Sequence, residues 1–267
     1  LHTDSSIALS KEGKLLWYNQ VIQHDLFNRD LQVSPMLAKV NINGAEKQVV
    51  FNSGKGGIVF AFDAQNGQLL WKTPIGLHMN DTLTEMPTQP KDATVTIAPG
   101  AWGGVETPMA FADNTVYALA ANTPSIWNAT MWDAHNGQEA LLRLNSNTHL
   151  SSGTADLVAM DASTGKVIWD HKFDHVAFGG VTVVNDLVFT ATLGGEIYAL
   201  ARSDGHEVWK WQGPGGTNSS PAVVGDTIIW AFGLGDGPAV LALSLSGNEA
   251  TLPAPEPQRT PVMTPGG

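Results

Sequence analysis

The sequence contains no cysteine and only 15% charged residues. Without cysteine, disulfides, zinc–thiolate sites and a cysteine nucleophile are excluded. Acidic residues outnumber basic ones by 25 to 14, for a net charge of -11, so the chain lacks the clustered cations that nucleic acids or anionic membrane surfaces require. No apolar run reaches the roughly 18 residues of a membrane-spanning helix. We therefore expect no nucleic-acid partner and no transmembrane segment.

Glycine, proline and tryptophan are plentiful, with 28, 15 and nine residues, and 43% of the chain is hydrophobic. This composition predicts a globular protein with a sizeable core and many turns. Four of the tryptophans end a repeated segment that has an alanine in its first half and a glycine four residues before the tryptophan. The segments are IALSKEGKLLW (7–17), VFAFDAQNGQLLW (59–71), LVAMDASTGKVIW (157–169) and IYALARSDGHEVW (197–209).

Each repeated segment predicts a β-hairpin, because polar residues followed by a glycine that can adopt a positive φ favour a tight turn. The small alanine permits a neighbouring sheet to approach closely. The tryptophan fills the wedge between sheets and can donate its indole N–H across the seam. We therefore interpret these tryptophans as packing residues rather than as ligand-stacking residues. A weaker fifth copy, AVLALSLSG (239–247), lacks the tryptophan.

Two more strand-like runs precede each hairpin from the second onward, so the repeating unit has four strands. The predicted fold is all-β: a β-propeller of four-stranded antiparallel blades with tryptophan-docking motifs, in an arc of about four to five blades. The first unit has only two strands and the last only three. Since a propeller closes its ring, we expect a missing propeller half, a partner chain or a second copy to complete it.

We assign residues 1–251 to the propeller blades, with insertions at 76–103 and 122–155, and residues 252–267 to a Pro-rich tail. The chain does not begin with methionine, so a processed or partial chain is expected. The second insertion carries Trp127, Met131 and Trp132 in a polar context. These residues could form a local mini-core or a partner surface, and we favour the mini-core.

The pattern in AMDASTGKVIW resembles the tryptophan-docking repeat of quinoprotein propellers. This family comprises the PQQ (pyrroloquinoline quinone)-dependent alcohol dehydrogenases and non-catalytic relatives such as the BamB-type outer-membrane assembly propeller. The opening 40 residues are similar to the start of the second half of the dehydrogenases, and the resemblance continues, more weakly, to about residue 245. The matching residues in the opening stretch are His24, Asp25, Asp30 and Pro35, whereas Phe27 and Asn28 replace a family tryptophan and aspartate.

The resemblance implies two candidate cofactor-binding residues. Lys55 occupies the position of a family lysine that hydrogen-bonds the quinone, where an ammonium would polarise a carbonyl and stabilise developing negative charge. The alternative is a solvated lysine in the turn SGKGG. The segment GGVETPMAF (103–111) aligns with a family segment, one residue longer, in which asparagine and tryptophan touch the cofactor. Glu106 and Thr107 stand there, and Glu106 is the second candidate.

In the family, the catalytic aspartate and the calcium ligands precede the position of Leu1. We therefore predict no catalytic and no metal-binding residue in this chain, with PQQ as the cofactor and calcium only together with the missing half. The predicted function is that of a PQQ-dependent dehydrogenase-like propeller domain, an oxidoreductase for an alcohol-type substrate once the ring is complete. The alternative is a non-catalytic propeller acting as a scaffold or binding module. The resemblance implies a periplasmic or extracellular location.

Overall fold

A computed structural model of the chain describes residues 2–85, 94–128, 150–235 and 237–245. These residues form antiparallel β-structure almost throughout, with one short 3-10 turn at Leu150–Ser152. Within the described ranges no helix is long and apolar enough to cross a membrane. The strands are β1 (Ser5–Leu9), β2 (Leu15–Gln20), β3 (Met36–Ile42), β4 (Ala45–Asn52), β5 (Ile58–Asp63), β6 (Leu69–Pro74), β7 (Thr94–Ile97), β8 (Gly104–Val105), β9 (Ala110–Ala112), β10 (Thr115–Asn122), β11 (Ser125–Asn128), β12 (Thr154–Asp161), β13 (Val167–Phe173), β14 (Thr182–Val184), β15 (Leu187–Ala191), β16 (Glu196–Ala201), β17 (Glu207–Gln212), β18 (Ala222–Val224), β19 (Thr227–Phe232) and β20 (Ala239–Ser244).

The strands form five successive sheets and one small additional sheet. Sheet 1 is the hairpin β1-β2, sheet 2 is β3-β4-β5-β6, sheet 4 is β14-β15-β16-β17 and sheet 5 is β18-β19-β20. Sheet 3 has the order β13-β12-β10-β8, with β9 also paired to β10. The predicted all-β architecture of four-stranded antiparallel sheets is confirmed.

Sheet 3 departs from a plain four-stranded sheet in its first strand. The short strands β8 and β9 pair with opposite ends of β10, at Ala120–Ala121 and at Thr115–Tyr117 respectively. Together they form one strand that is interrupted at residues 106–109. The backbone around Glu106 therefore takes no part in strand pairing, and the Glu106 side chain can contact other segments.

The repeated hairpins share one local geometry. In each, the alanine and the tryptophan are directly opposite across the two strands, and a β-bulge follows the alanine. The glycine has a positive φ in all four turns, as predicted, so a side chain there would be strained. These glycines are Gly13, Gly67, Gly165 and Gly205, with φ of 78, 72, 73 and 75°.

Three of the four tryptophans join their sheet to the next one. Each indole nitrogen donates a hydrogen bond to a backbone carbonyl of the following hairpin, and each ring covers the glycine of that hairpin. The bonds are Trp17 Nε1 to Ala64 O at 3.0 Å, Trp71 Nε1 to Ala162 O at 2.9 Å and Trp169 Nε1 to Arg202 O at 2.8 Å. Trp209 differs, since it is 39% exposed and no described residue accepts a hydrogen bond from its indole.

A second contact, not anticipated from the sequence, accompanies each of these three bonds. The side chain two residues after the tryptophan donates to the carbonyl of the next hairpin's glycine. The pairs are Asn19 Nδ2 to Gly67 O, Thr73 Oγ1 to Gly165 O and His171 Nδ1 to Gly205 O, at 3.2, 2.7 and 2.9 Å. Trp211 stands at the equivalent place after Trp209 and packs into the core between sheets 4 and 5 instead.

The apolar cores lie between consecutive sheets. Val49 and Phe51 of sheet 2 pack with Val116 and Met160 of sheet 3 in one cluster, and further clusters join sheets 3 and 4, sheets 4 and 5, and sheets 1 and 2. Sheets 2, 3 and 4 therefore each pack against both neighbours in the chain, whereas sheets 1 and 5 each have one neighbour among the described sheets.

The additional sheet connects the two segments predicted as insertions. Strand β7, from the first segment, pairs with β11, from the second. Trp127 of β11 is buried against Phe27, Ile97 and Ala101, in agreement with a mini-core at this residue. Met131, Trp132 and the Pro-rich segment 252–267 lie outside the described residues, and the predicted domain boundaries stay a prediction.

Candidate cofactor site

Lys55 lies in the turn between β4 and β5, and its side chain is only 15% exposed. Its ammonium group forms an ion pair with Asp30, with 2.6 Å between Nζ and Oδ2. The backbone fixes the same approach, because Lys55 N donates to Asp30 O at 3.0 Å. The Lys55 side chain is therefore mostly shielded and is paired with the half-exposed Asp30, and its role as a cofactor ligand stays a prediction.

The interrupted strand of sheet 3 brings Glu106 to this turn. Val105 N donates to Gly54 O at 3.0 Å, and Gly104 lies so close to Lys55 that an added Cβ would stand 2.3 Å from the lysine carbonyl oxygen. The positive φ of Gly104, +75°, also requires a residue without a side chain. Glycine at this position therefore lets the two segments that carry Lys55 and Glu106 meet.

Gln32 links the two candidate residues and was missed at the sequence level. Its Nε2 donates to Glu106 Oε2 at 2.8 Å and to Val105 O at 3.1 Å, and its Oε1 accepts from Lys55 N at 3.3 Å. The only available signal was its place two residues after Asp30, in the segment that resembles the dehydrogenases. The cluster is therefore Asp30, Gln32, Lys55 and Glu106, from two sheets and the loop that follows sheet 1.

The charge state of Glu106 is set by opposing effects. Burial raises the pKa of this carboxyl to about 7, and the nearby Lys55 ammonium and the Gln32 hydrogen bond oppose that rise. Its second oxygen, Oε1, is buried and has no hydrogen-bond partner in the part of the chain that the structure describes. A carboxyl with this pKa changes its charge near neutral pH, and its Oε1 is left with an unsatisfied hydrogen-bonding capacity.

The other residues that carried the resemblance lie apart from this cluster or stabilise its loop. Asp25 accepts hydrogen bonds from the backbone nitrogens of Phe27 and Arg29, at 2.8 and 2.6 Å, and so shapes the loop. His24 is exposed, and Thr107 Oγ1 donates to Gly179 O at 3.3 Å. Of the matched acidic residues in the opening stretch, Asp30 alone contacts Lys55.

No metal-binding arrangement is found in the described part of the chain, where no three His, Cys, Asp or Glu residues cluster suitably. His171 and His175, four residues apart, have separate partners, namely Gly205 O and Glu196 Oε2. The described residues of this site thus offer the Lys55 ammonium, the Asp30 carboxylate paired with it and the titrating Glu106 carboxyl, all of them groups that form hydrogen bonds with polar ligands.

Two family models match the chain. Residues 1–92 match the model described as "Glucose/ethanol/alcohol dehydrogenase, beta-propeller domain", and residues 112–259, more than half of the chain, match the PQQ-type model described as "Outer membrane protein assembly factor BamB". Among curated proteins, the quinoprotein glucose dehydrogenase of Escherichia coli is 36% identical over 95 residues, covering 33% of this chain and 12% of the relative. The quinoprotein ethanol dehydrogenase of Pseudomonas aeruginosa is 25% identical over 256 residues, covering 83% of this chain and 40% of the relative.

Solved structures give the same fold. The quinohemoprotein alcohol dehydrogenase ADHIIG of Pseudomonas putida HK5 superposes with a TM-score of 0.77 at 19% identity, covering 96% of this chain and 45% of that one. The quinohemoprotein alcohol dehydrogenase of Comamonas testosteroni superposes with a TM-score of 0.75 at 20% identity, covering 95% and 44%. The chain thus spans less than half the length of these relatives. On the model that matches more than half of its residues, the chain belongs to the family of PQQ-type β-propellers, and its first third matches the dehydrogenase propeller model.

Proposed function

We propose that the chain forms part of a PQQ-dependent dehydrogenase-like propeller and that Lys55 and Glu106 contact the cofactor. The observation that carries this proposal is the meeting of a largely buried lysine side chain with a carboxyl whose Oε1 is buried and has no partner among the described residues. A buried polar atom without a partner is costly, and a ligand that hydrogen-bonds to it removes that cost.

The cluster provides suitable hydrogen-bond donors for a quinone cofactor when Glu106 is protonated. An ammonium has three N–H donors, and the one contact of Lys55 Nζ among the described residues is with Asp30, so it can also donate to a quinone oxygen. An ionised Glu106 would repel an anionic cofactor, but a protonated Glu106 can donate a hydrogen bond to it. The pKa of about 7 makes the protonated form available near neutral pH.

Each residue of the cluster then has a separate task. PQQ, when bound, supplies the electron-accepting quinone for oxidation of an alcohol-type substrate. Lys55 hydrogen-bonds to the quinone oxygen and stabilises negative charge there. Asp30 holds the lysine side chain in place, and Gln32 fixes the Glu106 carboxyl. No residue of the chain is assigned as the catalytic base, so oxidation requires the completed ring, with calcium held by the completing half.

Titration with PQQ tests the site directly. We expect saturable quenching of tryptophan fluorescence in the wild-type chain, and at least about tenfold weaker binding for Lys55→Met, since hydrogen bonds to charged groups are worth about 1.5–3 kcal/mol. Binding is expected to strengthen as the pH falls through about 7, because Glu106 takes up a proton, and Glu106→Gln should flatten this dependence.

Lys47→Met is the matched control, because Lys47 is exposed on β4 and its replacement removes the same charge. It should bind PQQ like the wild type. Equal affinities for Lys55→Met and the wild type, or no saturable binding at any pH, would refute the proposed cofactor site.

A completing partner is the second part of the proposal. Sheets 1 and 5 present apolar side chains that no described residue covers: Leu16 and Val240 are 63% and 72% exposed, and Ile7, Tyr18, Val224 and Ile229 are exposed with them. Exposed apolar sheet faces of this kind mark contact surfaces. We propose that further propeller sheets cover them, supplied by a missing half, a partner chain or a second copy.

The alternative function, a non-catalytic scaffold or binding module, is favoured by the match of residues 112–259 to the BamB-type model. In that case the exposed apolar faces of sheets 1 and 5 form the partner-binding surface. We propose a periplasmic or extracellular location for either function. Sedimentation velocity checks the faces: concentration-dependent association that Val240→Glu reduces is expected, with an unchanged circular dichroism spectrum. A chain that stays monomeric at all concentrations would exclude the second copy as the completing partner.

A further inference from the structure

One face of strand β12 changes from apolar to polar toward the start of the strand. Val158 and Met160 pack into the core between sheets 2 and 3, and because side chains alternate along a strand, Thr154 and Asp156 lie on the same face. Asp156 is only 6% exposed, and burying a carboxylate is costly. Sheet 2 has Ile58 at the equivalent place, three residues before the alanine of its hairpin. The fold itself therefore does not require a carboxylate here.

The Asp156 carboxylate accepts hydrogen bonds from two neighbouring strands. Asn122 Nδ2 donates to Asp156 Oδ1 at 3.0 Å, and Lys172 Nζ donates to Asp156 Oδ2 at 2.9 Å. Asn122 Nδ2 also donates to Thr154 Oγ1 at 3.1 Å, and Lys172 Nζ donates to Asp170 Oδ2 at 3.0 Å. The pairing of β12 with β10 and with β13 places these residues side by side. Strand pairing therefore sets the positions of these polar groups.

A cavity of about 360 Å³ opens beside these groups, a volume within the usual range of small-molecule sites. The segment after β6 forms one part of its wall, with Gly76 and the exposed Leu77. Gly76 has a φ of +79°, and an added Cβ there would stand 2.7 Å from Asn122 Oδ1, so glycine permits the close approach of this segment to sheet 3. Sheet 3 and the residue after it supply the rest of the wall: Asn122, Thr154, Asp156, Lys172, Phe173 and Asp174.

Three groups of the wall keep hydrogen-bonding capacity for a ligand. Thr154 is exposed, and its hydroxyl accepts from Asn122 but donates to no described residue. An ammonium has three N–H donors. Lys172 uses two of them, and its side chain is 69% exposed. Asp174 is exposed, and no described residue donates to its carboxylate. The cavity therefore presents two free donors next to carboxylate acceptors.

The equivalent carboxylate of sheet 4 belongs to a network without such capacity. Glu196 stands three residues before Ala199, as Asp156 stands before its own hairpin alanine. Its Oε2 is bonded to Thr192 Oγ1 and His175 Nδ1 at 2.9 and 2.8 Å, and its Oε1 pairs with Lys210 Nζ at 2.9 Å. Thr192 is fully buried, so its hydroxyl serves Glu196 alone. The free threonine hydroxyl thus distinguishes the network of sheet 3 from that of sheet 4.

We propose that the cavity beside Asp156 binds a small neutral polyol or sugar through adjacent hydroxyl groups. A hydroxyl donates and accepts hydrogen bonds at the same time. One ligand hydroxyl can therefore accept from Lys172 Nζ while it donates to a carboxylate, and its neighbour can accept from the Thr154 hydroxyl while it donates to Asp174. Leu77 offers an apolar surface to the C–H groups of such a ligand.

Other classes of ligand fit this wall less well. The carboxylates of Asp156, Asp170 and Asp174 outnumber the single ammonium of Lys172, so an anion would be repelled. In the described part of the chain, no three His, Cys, Asp or Glu residues are arranged to hold a metal ion. An apolar ligand would cover the free donors without pairing them, which is costly. None of the four residues of the candidate cofactor cluster takes part, so the proposal does not depend on PQQ binding.

Titration with sorbitol or myo-inositol, followed by amide chemical shifts in nuclear magnetic resonance spectra, tests the site. We expect saturable shifts at residues 154–156 and 172–174, with a millimolar Kd, as is usual for so small a ligand. Chemical shifts are preferable to Tm here, because polyols raise protein stability without binding. Ethanol, with a single hydroxyl, and ethylammonium chloride are the comparison titrants and should bind more weakly. No saturable shift with either polyol, or a stronger response to ethylammonium than to the polyols, would overturn the proposal.

Variants at two exposed positions of the wall locate the binding. Thr154→Val removes only the hydroxyl and Asp174→Asn removes only the charge, so both proteins should fold normally and bind the polyols at least about threefold more weakly. The matched controls are Thr115→Val, at the opposite end of β10, and Asp186→Asn, in the exposed turn between β14 and β15. Both controls should bind like the wild type. Equal affinities in all four variants would show that the polyols bind elsewhere and would refute this site.

Discussion

Replacing Trp169 with alanine is expected to lower the free energy of unfolding by about 3–5 kcal/mol, the usual cost of removing a large buried aromatic side chain. Trp169 is 8% exposed and packs against Tyr117, with 5.8 Å between ring centres. Its indole donates to Arg202 O at 2.8 Å and covers Gly205. The substitution therefore opens a cavity between sheets 3 and 4 and leaves a backbone carbonyl unpaired. Denaturation by urea, followed by circular dichroism, measures the change.

Trp209→Ala is the matched control, because Trp209 has the equivalent place in its own hairpin and also faces an alanine, Ala199, across the two strands. It is 39% exposed, and its indole has no described acceptor. A cost of about 1–2 kcal/mol is expected for this less buried side chain. If the two variants lost the same stability, the contact with the following sheet would contribute nothing beyond local hairpin packing.

The hairpins could be predicted from the sequence because all their determinants are local. An alanine, a positive-φ glycine and a tryptophan within 11 to 13 residues specify the turn and the cross-strand pair, and Gly165 and Trp169 occur as expected. The strands before each hairpin followed from their period and turn residues. The same spacing did not distinguish Trp209 from the other three tryptophans, since the difference lies in the next sheet rather than in its own hairpin.

The remainder of the site depends on contacts between distant segments. Lys55 and Glu106 came from the family resemblance, but nothing in the local sequence indicated that Gln32, which lies 23 residues before Lys55 and 74 before Glu106, bridges the two. The pairing of β7 with β11 likewise joins two segments that each lacked a clear period. Arg29 stands in a loop where a charged residue is normally solvated, so its burial could be recognised only in three dimensions.

Gly165→Ala is expected to destabilise the protein by about 3 kcal/mol or more. Gly165 has φ of +73°, a conformation that costs a residue with a Cβ about 1–2 kcal/mol. The added methyl would also stand 2.6 Å from Trp71 Cε3 and 2.6 Å from Thr73 Oγ1. Since Trp71 and Thr73 hold sheet 2 against sheet 3 through their hydrogen bonds, relieving the overlap must separate the sheets, and overpacking of this kind costs about 1–3 kcal/mol more.

Gly13→Ala separates the two contributions. Gly13 has the same place in the first hairpin and a similar φ of +78°, but an added Cβ would meet no atom within 4 Å. This variant should lose only the roughly 1–2 kcal/mol of backbone strain, as measured by the same urea denaturation. The difference between the two alanine variants then gives the free-energy contribution of the close approach between a glycine turn and the tryptophan of the preceding sheet. Equal losses would mean that the glycines are required for their turns alone, and that the sheets are held together by their apolar cores.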